Sequence, residues 1–236
     1  MARPALWTAI RDRLGKEIAE GHYAPGERLP TEAELSARFS VNRHTVRRAI
    51  ADLASSGVLR SRRGAGVFVA SAPLLYPIGD RVRFRKNLDA AGRMPGRRMD
   101  FLGTRRPDSE EQAELRLPPD AEVYVCEGVS FADNVPIALF RSIFPATLPD
   151  LLDHLSEESS VTEALRRSGV TDYVRTRTEI HARRADAAQA VKLGIGEGDP
   201  LLGTVSLNAT PEGIPVEFGK TWFAGDAVTL SVGGAG

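Results

Sequence analysis

Seven arginines lie between positions 38 and 63, namely Arg38, Arg43, Arg47, Arg48, Arg60, Arg62 and Arg63, and the only acid among them is Asp52. A guanidinium is a permanent cation with a planar fork of donors, suited to bidentate contact with phosphate oxygens or a guanine edge. A merely solvated face would mix Lys and Glu with Arg. Here six of the seven form two clusters, one at 43–48 and one at 60–63. The chain as a whole is neutral, with 31 Lys and Arg against 31 Asp and Glu. Residues 1–75, however, hold 12 basic side chains against 7 acidic, and residues 76–236 hold 19 against 24. A basic module is therefore joined to an acidic one, and the basic part is built for a polyanion.

Catalytic and metal chemistry find little to work with. His22, His44, His154 and His181 include no i,i+4 pair and no metal-ligand spacing. Cys126, the single cysteine, sits in the apolar run "VYVCEGV" with no nucleophile context, excludes an intramolecular disulfide, and fits a reducing, cytoplasmic setting. "LGIGEGD" is glycine-rich but follows a helical pattern and lacks the G-x-G-x-x-G spacing, so it reads as a turn. No cofactor site and no enzyme activity are expected. No apolar run approaches the roughly 20 residues of a membrane span, and the first ten residues lack the apolar core of a secretion signal.

At 236 residues the chain has the length of two domains. Trp7, Ile10, Leu14 and Ile18 recur at helical spacing, and "YAPGERLP" reads as a turn. Thr31 with Glu34 has the spacing of a capping box opening a second helix, which turns Leu35 and Phe39 inward. About three residues later Asn42 caps a third helix with Val46, Ala49, Ile50 and Leu53 on one stripe and Gly57 as its stop. Two short helices so joined make a helix-turn-helix. "VLRSRRGAGVFVA" follows as strand, turn, strand. With the stripe facing the core, Arg43, His44, Arg47 and Arg48 occupy the exposed face of a recognition helix. Arg62 and Arg63 occupy the hairpin tip, where Gly64 and Gly66 permit a tight turn. Downstream, two alternating runs around Asp133-Asn134 predict a β-hairpin, and "TPEG" marks a second one. Strands outnumber helices there, so the second module is expected to be α+β, with helices on one side of an antiparallel sheet.

The stretch "ERLPTEAELSARFSVNRHTVRRAIADLASSGVLRSRRGAGVFVA" resembles the winged helix-turn-helix of the GntR family of bacterial transcriptional regulators. The remainder resembles the ligand-sensing UTRA domain of its HutC subfamily, a chorismate-lyase-like fold. "YPIGDRVRFRKNL" and "TRTEIHARRADAAQAVKLGI" look most like regulators of phosphonate utilisation. The resemblance implies a DNA-binding domain over 1–70, a linker over 71–80, an effector domain over 81–232 and a flexible tail over 233–236. It implies double-stranded operator DNA, a small anionic effector and a homodimer as partners, with no membrane, and the strands near Val123 and Phe144 supplying a dimer edge. DNA contacts would come from Arg38, Asn42, Arg43, His44, Thr45, Arg47, Arg48, Arg62, Arg63, Gly64 and Gly66. At Ala33 many relatives have an arginine, a gap for Arg38 or Arg48 to fill. Effector contacts would come from Phe84, Arg85, Ser160, Arg175, Arg177, Glu217 and Trp222. Sugar-phosphate sensors of the family carry an Arg-x-Arg pair where this chain has Gly128-Val129-Ser130, which argues against a sugar phosphate. Other HutC-type effectors, from amino-acid or sugar catabolism, are the alternative.

Overall fold

The structure is a computed structural model and describes residues 5–62, 66–70, 72–79, 81, 84–158 and 160–232. The chain divides into two compact units after Ala72.

The first unit holds α1 (Leu6–Ala19), α2 (Glu32–Phe39), α3 (Arg43–Ser55), β1 (Leu59–Arg62) and β2 (Gly66–Val69). Local chemistry sets its joints. The Glu34 N–H donates to Thr31 Oγ1 at 3.3 Å and the Thr31 N–H to the Glu34 carboxylate at 2.7 Å, a reciprocal cap. Ser40, at φ 53°, ends α2 in the left-handed region, and Asn42 Oδ1 accepts the Thr45 N–H at 2.9 Å to start α3. Ile10, Leu14, Leu35, Val46, Ile50 and Leu53 then meet in one core with Leu29, Leu59 and Val69. The 24–30 turn docks along β2 through Leu29 N–H to Val67 O and Val69 N–H to Glu27 O, both 2.8 Å.

The second unit holds β3 (Leu74–Ile78), α4 (Phe84–Ala90), β4 (Pro95–Arg105), α5 (Ser109–Glu114), β5 (Val123–Ala132), β6 (Val135–Pro145), α6 (Leu151–Glu157), α7 (Val161–Arg167), β7 (Val174–Arg184), α8 (Ala187–Leu193), β8 (Pro200–Ala209), β9 (Pro215–Ala224) and β10 (Val228–Val232). Six strands form an antiparallel sheet in the order β4-β5-β6-β9-β8-β7. The β5–β6 loop is two residues, Asp133 and Asn134, both with positive φ, the mirror-image turn that matches strand twist.

Three expectations change here. Residues 74–78 are a strand of the second unit, paired in parallel with β10, with Leu74 and Tyr76 buried. Pro73 and Pro77 keep the stretch extended, but its alternate residues Leu74 and Tyr76 are buried in the second unit rather than spanning a gap. Helices cover both faces of the sheet. Leu115, just after α5, packs with Val123, Val125, Ile143 and Phe218, while α6 and α7 pack with Cys126, Phe140 and Phe144 on the face that strand alternation turns the other way. Finally, β5 and β6 are interior strands, so neither offers an edge for dimerisation; the edges are β4 and β7.

Candidate nucleic-acid interface and ligand cavity

Asn42, the cap of α3, and Arg43, His44, Arg47 and Arg48 in its first two turns are exposed. Arg43 and His44, in the first turn beside the cap, make no hydrogen bond or ion pair to another described residue. Their neighbours are engaged. Arg47 forks onto Glu32 of α2, Nε to Oε1 at 3.0 Å and Nη2 to Oε2 at 2.8 Å. That bond holds the Glu32 carboxyl below its usual range. Arg48 lies over the Trp7 ring at 4.5 Å. The Thr45 hydroxyl donates to Asn42 Oδ1 at 2.9 Å, a capping role. Arg38 is committed further: it forks onto Glu17, whose side chain is only 7% exposed, and its Nη1 also reaches Tyr23 Oη at 3.2 Å. The hydrogen bond from Arg38 keeps the Glu17 carboxyl below its ordinary value despite burial. Arg38 therefore stitches α2 to α1.

At the wing, Gly66 opens β2 at φ 117°, and a Cβ there would meet the Arg28 guanidinium at 2.7 Å. Arg28 is exposed beside the hairpin and escaped sequence reasoning because it lies in the turn before the helix-turn-helix. The hydrogen bonds between residues 27–29 and β2 bring it there. The side chain of Arg62, with Arg63 and Gly64, lies outside the described residues.

The second unit encloses a cavity of about 500 Å³ between the sheet, β3, α4 and the start of α7. Phe84, Arg85, Ser160, Arg175 and Glu217 all line it. Arg177 and Trp222 do not. A bulge between Arg175 and Arg177 inserts one residue, so the two arginines, two apart in sequence, emerge on opposite faces: Arg175 pairs with Asn208, Arg177 with Leu207. Arg177 instead bonds Glu114 of α5. Trp222 alternates with the cavity residues Thr221 and Phe223 and so points the other way.

The cavity floor is polar although buried. Ser130, Ser142, Thr204, Ser206, Asn208 and Glu217 are each at most 9% exposed. Arg175 Nε donates to Asn208 Oδ1 at 3.2 Å, and Asn208 Nδ2 to Glu217 Oε2 at 2.7 Å, a relay that fixes all three groups. Tyr173 Oη and Thr162 Oγ1 are 2.9 Å apart on the α7 side. Burial pushes the Tyr76 hydroxyl above its ordinary value, so it is a neutral donor. Arg85, Lys86, Arg97 and Arg175 face Asp89 and Glu217, leaving a cationic surplus suited to a small anion. Cys126, behind the floor, is pushed up to about 12 by burial and is no nucleophile.

Sequence reasoning missed Arg97 and Asn208. For Asn208 a signal existed, since Thr204, Ser206 and Asn208 alternate with Val205 and Leu207 in one strand. Arg97 had none. Strand β4 begins "PGRRMD", which has no alternation.

Comparison with known proteins places both units. Residues 6–69 match the family of bacterial regulatory proteins, gntR family, and residues 90–229 match the UTRA domain. An uncharacterised HTH-type transcriptional regulator of Rhizobium meliloti (strain 1021), RB1450, is 38% identical over 97% of this chain and 94% of its own length. The HTH-type transcriptional repressor NagR of Bacillus subtilis (strain 168) is 26% identical over 95% and 93%. The crystal structure of PhnF from Mycobacterium smegmatis superposes with a TM-score of 0.66 at 25% identity, over 95% of this chain and 98% of that one. These relatives are regulators, not enzymes, and among the described residues no helix is long and apolar enough to cross a membrane. A capped helix-turn-helix ahead of a UTRA domain, each matched along its length, means that this chain belongs to the GntR family of transcriptional regulators, in its HutC-type branch.

Proposed function

We propose that the first unit binds a two-fold operator as part of a homodimer, that a small anion bound in the second unit's cavity weakens that binding, and that the protein acts as a repressor. The observation that carries the reading is the pairing of two cationic surfaces. An unpaired Arg43–His44 step opens α3, and a 500 Å³ cavity holds four basic side chains against two acids. Asn42, Arg43 and His44 stand where a recognition helix reads base edges, and Arg47 joins them on release from Glu32. Arg28, Arg62 and Arg63 serve the phosphate backbone near the wing, with Gly64 and Gly66 allowing close approach. One winged head offers few base contacts, so specificity on a genome calls for two of them. A phosphonate-related effector is the class the sequence resemblance suggests; NagR, a repressor, supports the mode of action.

By linkage, the effector binds the DNA-free form more tightly by the same factor with which it loosens DNA, typically 1–3 kcal/mol. The test is a melting-temperature screen against phosphonates, phosphate, sugar phosphates and urocanate-like acids, followed by operator titration with each hit. Stabilisation by one class, with weaker operator binding in its presence, is expected. Operator affinity unmoved by every stabilising compound would remove the regulatory reading, and a monomer in sedimentation with and without operator would remove the dimer.

A further inference from the structure

We infer that Arg97 is the anchor of the cavity and that the group it takes is a phosphate-type oxyanion, an inference that rests on reading the cavity as the effector site. Arg97 belongs to β4 and stands opposite Ser130 of β5 in the sheet register, and both line the cavity. Its guanidinium carbon lies 4.1 Å from the centre of the Phe140 ring and 5.8 Å from that of Phe84, so the sheet and α4 each bring an aromatic ring to it. A guanidinium held against aromatic rings uses their π faces and keeps its N–H fork for a partner.

No partner is present among the described residues. Arg97 Nε is buried without a hydrogen bond, one of only three such side-chain atoms found there. Several other arginines of this unit show the contrast: Arg105 is paired with Glu111, Arg141 with Glu127, and Arg81 with Asp172. A buried donor left unsatisfied destabilises the fold, so it persists where something else completes it. The cavity's own acids do not. Glu217 is turned to Asn208, and Asp89 forms no ion pair with Arg97. Arg175 has its Nε occupied by Asn208, whereas no described residue hydrogen-bonds or ion-pairs with the Arg97 fork. With Arg85 and Lys86 on the α4 wall and the Ser130 hydroxyl across the register pair, the charge surplus and the number of donors fit an oxyanion with several oxygens better than a lone carboxylate.

The experiment is calorimetric titration of the full-length protein with inorganic phosphate, and separately with acetate, at low ionic strength. Wild type is expected to bind phosphate more tightly than acetate. Arg97→Gln, which keeps the side-chain bulk, should weaken phosphate by at least about ten-fold, the scale of one charge-assisted hydrogen bond. Arg97→Lys, which keeps the charge and loses the fork, should also bind more weakly than wild type. Arg177→Gln, on the opposite face of the sheet, should bind as wild type does. If Arg97→Gln melts below the assay temperature, Arg97→Lys decides alone. Phosphate binding within two-fold of wild type in the Arg97 variants would overturn the anchor while leaving the cavity reading intact. Failure of wild type to bind phosphate would overturn the anchor, and failure to bind either anion would take the anionic reading of the cavity with it.

Discussion

In the first unit the two side chains left open at the start of α3, Arg43 and His44, are neighbours in sequence on the first turn of one helix. In the second unit the cavity cations come from separate elements: Arg85 and Lys86 from α4, Arg97 from β4 and Arg175 from β7. The head relies on a helix cap and a hydrophobic stripe; the cavity relies on strand register. The difference teaches where each site is vulnerable. A change on α3 alters a contact and leaves the fold, whereas a change in the sheet moves several cavity residues together.

The largest effect expected from that contrast is at Gly128 of β5. A Cβ there would fall within the van der Waals envelope of the Arg98 carbonyl oxygen and at 2.9 Å from Phe140. Gly128→Ala should therefore force β4 from β5, cost about 3 kcal/mol in denaturant unfolding, and abolish phosphate binding by displacing Arg97. A loss under about 1 kcal/mol would show that the sheet yields more readily than the comparison requires.

Next in size is Arg43→Ala, which should weaken operator binding by about 1–3 kcal/mol in anisotropy titrations, with phosphate affinity unchanged. Arg47→Ala should lose less, because Arg47 must give up its fork with Glu32 before it can contact DNA. Equal losses would mean that the two arginines are equally free in solution.

A smaller effect belongs to pH. The Arg38 hydrogen bond depresses the Glu17 carboxyl in the folded head. A depressed carboxylate contributes stability that is fully present above its unfolded value, about 4.3, and is lost as pH falls through the lower folded value. The Arg38 side chain is 41% exposed, so screening limits the contribution to about 1 kcal/mol. Glu17→Gln should flatten the stability profile of the head between neutral and acid pH; an unchanged slope would leave the pair without energetic weight.

The smallest change is expected for Arg177→Gln. Its pair with Glu114 is partly exposed, and its side chain lies on the face away from the cavity. Stability should stay within about 0.5 kcal/mol, and a larger loss would place this edge of the sheet among the structural determinants.

Much of the head was legible because its signals are local. Thr31 with Glu34, Asn42 before an apolar stripe, and Gly57 after it are read within a few residues of each other, and caps and turns depend on such short spacings. The β5–β6 hairpin was legible for the same reason, its two-residue turn being written in Asp133 and Asn134. The partnership of Arg38 with Glu17, 21 residues away, was not, since only the packing of α2 on α1 brings them together.

For the cavity, the sequence by itself determined the supply of anion-holding side-chain types, and five of the seven that the resemblance put forward line it. Only the tertiary structure decided which face each one occupies. One inserted residue at the β7 bulge separates Arg175 from Arg177, strand alternation turns Trp222 away, and the docking of β4 beside β5 brings in an Arg97 that no periodicity announced. A side chain's type is a property of the residue alone, but the face it occupies depends on a hydrogen-bond register set jointly by two strands, and no single segment of sequence contains that register.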